Sequence, residues 1–242
     1  MIIDSSCLSS ATTTGVLPDT GVRQFTICSD GIAALAGVPG IDAVELPPDL
    51  VGAVPSRQWQ FRAGRLCAQH ALVALGYPRP DVRIPRTANG APGWPHGVTG
   101  SITHTEGYVS AAVARSDVIS ALGIDSERIV TEDRLRSIVG TIAWASELAA
   151  ARDAGYDRLV SATLVFSAKE TIFKCLSGHV GRVFDFRDVR VVGINATRHQ
   201  FTARLVTTLS PAWRAGVMLT GGFAVETPFV HTGMALAAVP IG

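Results

Sequence analysis

Lysine is nearly missing from this chain: of its 21 basic residues only Lys169 and Lys174 are lysine, and both fall in one short segment. An excess of charge of either sign is also missing. The 20 acidic residues leave a net charge of +1, which excludes a nucleic-acid partner held by a broad basic surface. Although 47% of residues are hydrophobic, no apolar run approaches the roughly 18 residues of a membrane span, so no membrane association is expected. The start, Met1-Ile-Ile-Asp-Ser-Ser-Cys7, lacks a basic stretch followed by an apolar one; no signal peptide is expected, and a cytoplasmic protein is. Cysteine is scarce. Cys7, Cys28, Cys67 and Cys175 form no C-x-x-C pair and have no histidine pair at zinc spacing, which leaves free, mostly buried thiols.

What is present is concentrated. The segment Phe166-Ser-Ala-Lys169-Glu170-Thr-Ile-Phe-Lys174 sets a carboxylate among the only two lysines. Arginine is a planar fork and lysine a compact ammonium, so a chain that otherwise uses arginine has reserved this segment for a point charge. Glu170 and Lys174 stand four apart and share a helix face. The spacing fits two readings: a surface ion pair, or a base and a cation serving phosphate oxygens. Upstream, Arg57, Arg62, Arg65, Arg79, Arg83 and Arg86 surround a single acid, Asp81. Such a segment fits a solvated helix face or a collector of phosphates. Acids then gather at Asp125, Glu127, Glu132, Asp133, Glu147 and Glu170. A cationic patch with a carboxylate cluster suits a metal-bound phosphate ester.

Periodicity predicts a strand over Phe25–Cys28 and a helix from Ser56 to Leu75, closed by Gly76 and Pro78. Residues 85–100 are too rich in proline and glycine for regular structure and form a loop around Trp94. Ser101–Thr105, a turn at Glu106–Gly107, strand 108–114, a polar connection at Arg115–Asp117 and a second strand from Val118 to about Glu127 give a hairpin signal, with Asp125 and Glu127 leaving the same face. Helices are expected over 131–155, with Ile138, Ile142 and Leu148 at helical spacing, and over 164–178. Phe61-Arg-Ala-Gly-Arg-Leu-Cys-Ala aligns with Phe166-Ser-Ala-Lys-Glu-Thr-Ile-Phe, and Thr105-Glu-Gly-Tyr-Val with Thr220-Gly-Gly-Phe-Ala. If this repeat is structural, the protein consists of two similar α+β halves with a site between them.

Four ordered blocks carry a resemblance: Arg57 with Phe61-Arg-Ala-Gly-Arg65; Gly90-Ala-Pro-Gly-Trp94-Pro-His-Gly; Gly100-Ser101-Ile-Thr103-His104-Thr; and Gly123-Ile-Asp125-Ser-Glu127 with the Lys169-Glu170-x-x-x-Lys174 segment. Over residues 55 to 180 the chain resembles the 4′-phosphopantetheinyl transferase superfamily, of the Sfp and enterobactin-synthetase-component-D type. That resemblance implies an α+β fold of two pseudo-two-fold-related halves, each a small antiparallel sheet packed on helices, with residues 1–117 and 118–242 as the halves and the active site between them. It implies a monomer that moves the phosphopantetheine arm of coenzyme A onto a serine of an apo acyl or peptidyl carrier protein, with release of adenosine 3′,5′-bisphosphate. Asp125, Glu127 and Glu170 would hold Mg²⁺ or Mn²⁺. Glu170 would take the serine proton, and Lys174 with Lys169 would offset charge on the departing group. Arg57, Arg65, Arg86, Ser101, Thr103 and His104 would hold coenzyme A.

The chain departs from the family's pattern after Glu127, where Arg128-Ile-Val-Thr-Glu132-Asp133 follows, and after Lys174, where Cys175-Leu-Ser follows; both bear on which carrier, fatty-acid, polyketide or nonribosomal-peptide, is preferred. Two rivals belong to other classes. A serine hydrolase built on Ser101, His104 and Asp125 lacks a nucleophile elbow, and its histidine lies too near its serine in sequence to serve as base. A non-catalytic coenzyme A or carrier-protein binding module would use the arginines and His104 without needing three carboxylates.

Overall fold

The computed structural model describes residues 8–9, 16–18, 21–29, 32–77, 82–181 and 183–238. Cys7, Arg79 and Asp81 lie outside them, as do the side chains of Ile138 and Ile142. The protein is α+β, with two antiparallel sheets packed on helices, and it divides into two compact units, chiefly Thr20–Ser120 and Ala121–Leu236.

The first unit carries strands β1 (Leu8–Ser9), β2 (Val22–Cys28), β3 (Val98–Thr105) and β4 (Tyr108–Arg115), in the spatial order β1-β2-β4-β3, with helices α1 (Ile32–Leu35) and α2 (Pro55–Ala74). Pro55 opens α2 at a position where its missing N–H costs nothing, and Gly76, at φ +84°, lets the chain leave. Ala63, Leu66, Cys67, Ala68, Ala71 and Leu72 bury one face of α2 against Ile27, Val109, Ala111 and Val113. Each fully buried leucine there contributes about 2 kcal/mol. At Gly64 a Cβ would stand 2.9 Å from Ile102 Cγ2, so α2 lies close over β3, on the Ile102 face. The opposite face of the sheet is polar yet buried: Gln24 Nε2 donates to Ser110 Oγ (2.9 Å), and Thr26 and Ser110 join hydroxyls at 2.9 Å.

In the second unit, β5 (Ile119–Arg128, its first two residues in the first unit) is followed by helices α3 (Glu132–Ile142), α4 (Ala145–Asp153) and α5 (Arg158–Val180), then β6 (Val189–Asn195), β7 (Gln200–Leu205), β8 (Met218–Glu226) and β9 (Phe229–Ala237). The sheet runs β5-β9-β8-β7-β6. Asp157 caps α5 by accepting from the N–H groups of Leu159 (2.8 Å) and Val160 (2.9 Å), and Gly181 at φ +72° ends it. Leu164, Val165, Ala168, Ile172 and Leu176 pack into a core with Val191, Phe201 and Phe223.

Several expectations are corrected. The strands 108–114 and 118–127 do not form a hairpin. The hairpin is β3–β4, turning at Glu106–Gly107, whereas β5 joins the other sheet beside β9. A polar turn looks the same in sequence whichever sheet receives the next strand. The helix read over 131–155 is two, because Trp144 is extended (φ −84°, ψ 149°) and starts α4 afresh, and α5 begins six residues before the expected 164. Of the two repeat alignments, the first matches helix α2 to helix α5. The second sets the β3–β4 turn against the interior of β8 and does not hold.

Candidate functional site

Strand alternation puts Gly123, Asp125 and Glu127 on one face of β5. That face meets α5: a Cβ on Gly123 would stand 2.2 Å from the Thr171 carbonyl oxygen and 2.9 Å from Cys175. Only glycine allows so close an approach, and the approach brings the lysine helix onto the carboxylate strand. Lys174 Nζ donates to Asp125 Oδ1 at 2.6 Å, so its ion-pair partner is the strand's buried aspartate rather than the helix neighbour Glu170. The same helix is fixed to β9 by hydroxyls: Thr232 Oγ1 bonds Ser167 Oγ (2.8 Å) and Thr171 Oγ1 (2.6 Å). Thr163, one further turn along, takes the Val130 N–H at 3.0 Å just beyond β5.

The carboxylates feel one another. Burial, then the Asp125 charge, pushes Glu127 up to about 8, with Glu170 adding and Lys174 and Arg134 opposing. Glu170 is raised by burial and by Asp125, against the pull of Lys174. Two carboxylates held above their ordinary range, Glu127 and Glu170, are relieved by a cation. Among the described residues no three His, Cys, Asp or Glu side chains close around a common point, so a hard divalent ion here would complete its shell with oxygens from water and a ligand.

Lys169 faces a network apart from the Lys174–Asp125 pair. It is 2% exposed, and its ammonium meets both oxygens of Glu147 (2.9 and 3.0 Å) and the Phe186 carbonyl (3.0 Å). Burial lowers its pKa, which Glu147 partly restores. Glu147, wholly buried, also accepts the N–H groups of Trp144 (2.6 Å) and Val191 (2.7 Å). Beside this network, Lys169, Glu170, Phe173, Val183, Phe184, Asp185, Phe186 and Val189 line a cavity of about 270 Å³. The aromatic wall was not found from the sequence; Phe184 and Phe186 sit in an irregular segment without periodicity. Nor was His231, whose Nδ1 meets Ser126 Oγ at 2.9 Å between Asp125 and Glu127 on the other face of β5, and which burial lowers to about 4 against the Asp125 charge. A lone histidine within a strand carries no local signal.

In the first unit, Arg57 Nη1 and His104 Nε2 lie 3.5 Å apart, at the limit of a hydrogen bond, because His104 follows Ile102 on the α2 face of β3. Arg65, 7% exposed, donates Nε to the Ile84 carbonyl (2.7 Å) and stacks on Phe61. Burial and the nearby charge of Arg86 lower it to about 10, still protonated near neutrality, and two guanidiniums that repel one another suit an anion. Arg86 is exposed and pairs with Asp49 (2.5 Å). Ser101 and Thr103, buried, turn to the sheet's opposite face. Their side chains are not brought to Arg57, Arg65 and His104.

Residues 47–114 match the family model of the 4′-phosphopantetheinyl transferase N-terminal domain, and residues 121–228 that of the 4′-phosphopantetheinyl transferase superfamily. The chain is 38% identical over 195 residues to the 4′-phosphopantetheinyl transferase Svp of Streptomyces mobaraensis, covering 77% of this chain and 75% of that protein. It is 29% identical over 207 residues to the transferase PptT of Mycobacterium tuberculosis (82% and 88% covered), and 31% over 140 residues to enterobactin synthase component D of Escherichia coli (57% and 63%). The chain belongs to the 4′-phosphopantetheinyl transferase superfamily. Within it, this protein is an enzyme, a 4′-phosphopantetheinyl transferase.

Proposed function

We propose that this enzyme transfers the 4′-phosphopantetheine group of coenzyme A to a serine hydroxyl of an apo acyl or peptidyl carrier protein, with Mg²⁺ or Mn²⁺ required and adenosine 3′,5′-bisphosphate released. The observation that carries this reading is the convergence of Asp125, Glu127, Glu170 and Lys174 where α5 crosses β5. The serine oxygen bonds to the β-phosphorus as the pyrophosphate bridge to the bisphosphate breaks, and the hydroxyl proton leaves to a base. Glu170, held above the ordinary carboxylate range by burial, is suited to take it. Lys174, tethered by Asp125, holds a compact positive charge where the transferred and departing oxygens gain negative charge. A bound divalent cation would neutralise the pyrophosphate, with Asp125, Glu127 and Glu170 to hold it. Arg65 and His104, with Arg57, supply cations and donors to the non-reacting phosphates. The cavity beside Glu170, walled by Phe173, Phe184 and Phe186, suits the uncharged arm.

Mass measurement of a panel of apo carrier proteins after incubation with the enzyme, coenzyme A and Mg²⁺ tests this. At least one carrier gains the phosphopantetheine mass, and EDTA prevents the gain. Asp125→Ala and Glu170→Ala each lower turnover by roughly a hundredfold or more. Tight coenzyme A binding with no carrier modified across the panel would return the protein to the class of binding modules.

A further inference from the structure

We infer that Lys169 is a positioning residue for the arm-binding cavity and takes no part in the chemistry; this rests on the transferase reading above. An ammonium has three donors. Lys169 donates to Glu147 Oε2 and to the Phe186 carbonyl, both at 3.0 Å, and Glu147 Oε1 lies at ion-pair distance, 2.9 Å. The ammonium is enclosed by these partners, and with 2% exposure it presents almost no surface to a phosphate. The adjacent Glu170 lines the same cavity and feels the charges of Lys174 and Asp125, which sets the carboxylate cluster at the cavity's edge.

What the pair holds is specific. Glu147 ties the start of α4, through the Trp144 N–H, to the start of β6, through the Val191 N–H. Lys169 ties α5 to the 3₁₀ turn Phe186–Asp188 through the Phe186 carbonyl. Phe184, Asp185, Phe186 and Val189, four of the cavity's lining residues, therefore lie on a segment whose backbone is moored to α5 by this ammonium, while Phe173 stands on α5 itself. Phe184 packs on Phe173 with ring centres 5.0 Å apart, and Phe186 on Phe166 at 5.6 Å. The pair fixes the width of the cavity between α5 and the 183–189 segment, next to the proposed base. Arginine does not replace the lysine, since a longer, planar fork does not fit a buried space shaped around one point charge between Glu147 and the Phe186 carbonyl.

Binding separates this role from a stabilising one. Calorimetric titration compares coenzyme A with adenosine 3′,5′-bisphosphate, which lacks the arm, for the wild type, for Lys169→Arg, and for the pair Lys169→Met with Glu147→Gln. The double change leaves no uncompensated buried charge, but its amide sets an NH₂ against one of the Trp144 and Val191 N–H groups, so a modest fall in melting temperature is expected and melting serves as the folding control. In both variants coenzyme A affinity falls about tenfold or more while that for the bisphosphate changes by less than about twofold. Saturating coenzyme A then restores kcat to within about threefold. Affinities for both ligands that stay put or fall together overturn the inference, as does a kcat loss of about a hundredfold that saturation leaves in place. A wild type that prefers coenzyme A over the bisphosphate in no measurable degree overturns the inference before any variant is made, whereas one that modifies no carrier defeats the transferase reading itself.

Discussion

Glu127 illustrates how a single residue reports the site's purpose. Its carboxyl is pushed up to about 8 by burial and by Asp125, so ionising it in the folded protein is unfavourable. A group whose folded value lies above its unfolded one supports folding fully below the unfolded value, near 4.5, and loses that support as pH rises through about 8. Without divalent cation this residue therefore weakens the fold across that interval, and a bound cation reverses the effect by favouring the charged form. The rise in melting temperature on adding Mg²⁺ should be larger at about pH 8.5 than at about pH 6, and Glu127→Gln should flatten the difference. An equal rise at both values would remove Glu127 from the metal set. Lys174 gives a second test at this scale. If its compact ammonium matters, Lys174→Arg lowers kcat by roughly tenfold or more despite the kept charge, with melting as the folding control. Unchanged turnover would reduce the Lys174–Asp125 contact to a structural pair.

Among the elements, α5 decides most. Its cap at Asp157 and stop at Gly181 set its length, but its placement depends on what it touches. Gly123 permits contact with β5, and Thr232 bonds both Ser167 and Thr171 on successive turns, pinning the helix against sliding along the sheet. Gly123→Ala should destabilise the protein by about 3 kcal/mol, because the clash at 2.2 Å is with backbone oxygen rather than a movable side chain. Thr232→Val keeps the shape and removes the hydroxyl that both partners share, at a cost of about 1–2 kcal/mol. Chemical denaturation measures both. A Gly123→Ala protein as stable as the wild type would mean that α5 does not press on β5 here.

For the whole molecule, the two units carry different parts of the expected machinery. Arg57, Arg65 and His104 stand in the first, and Asp125, Glu127, Glu170 and Lys174 in the second. Substitutions should divide accordingly. Arg65→Ala and His104→Ala should raise KM for coenzyme A by about tenfold and leave kcat within a few fold, since the phosphates proposed for them do not react, whereas changes in the second set should fall on kcat. Steady-state kinetics with titration of coenzyme A binding checks the division. Unaltered affinity in both first-unit variants would dissolve the phosphate-binding assignment. The net charge of +1 places any attraction for phosphates in these local groups and not in a general field.

The sequence by itself determined the family and the chemical inventory. Four ordered blocks, two lysines in a chain of arginines, and alternation on β5 that sets Asp125 and Glu127 on one face are all local facts, written in residue type and spacing. It also marked the helix over Ser56 to Leu75 and the loop around Trp94, because proline, glycine and a 3.6-residue period act over a few positions, though β3 already begins at Val98, inside the 85–100 span. Tertiary structure alone decided the pairings. Lys174 takes Asp125 from 49 residues away instead of Glu170 from four, and Lys169 takes Glu147 from 22 residues away. β5 joins β9 rather than β4, and Ser101 and Thr103 turn from the face that His104 shares with Arg57. Each depends on which surfaces meet when the chain closes on itself, and a missing side chain at Gly123 decides that as much as any side chain present.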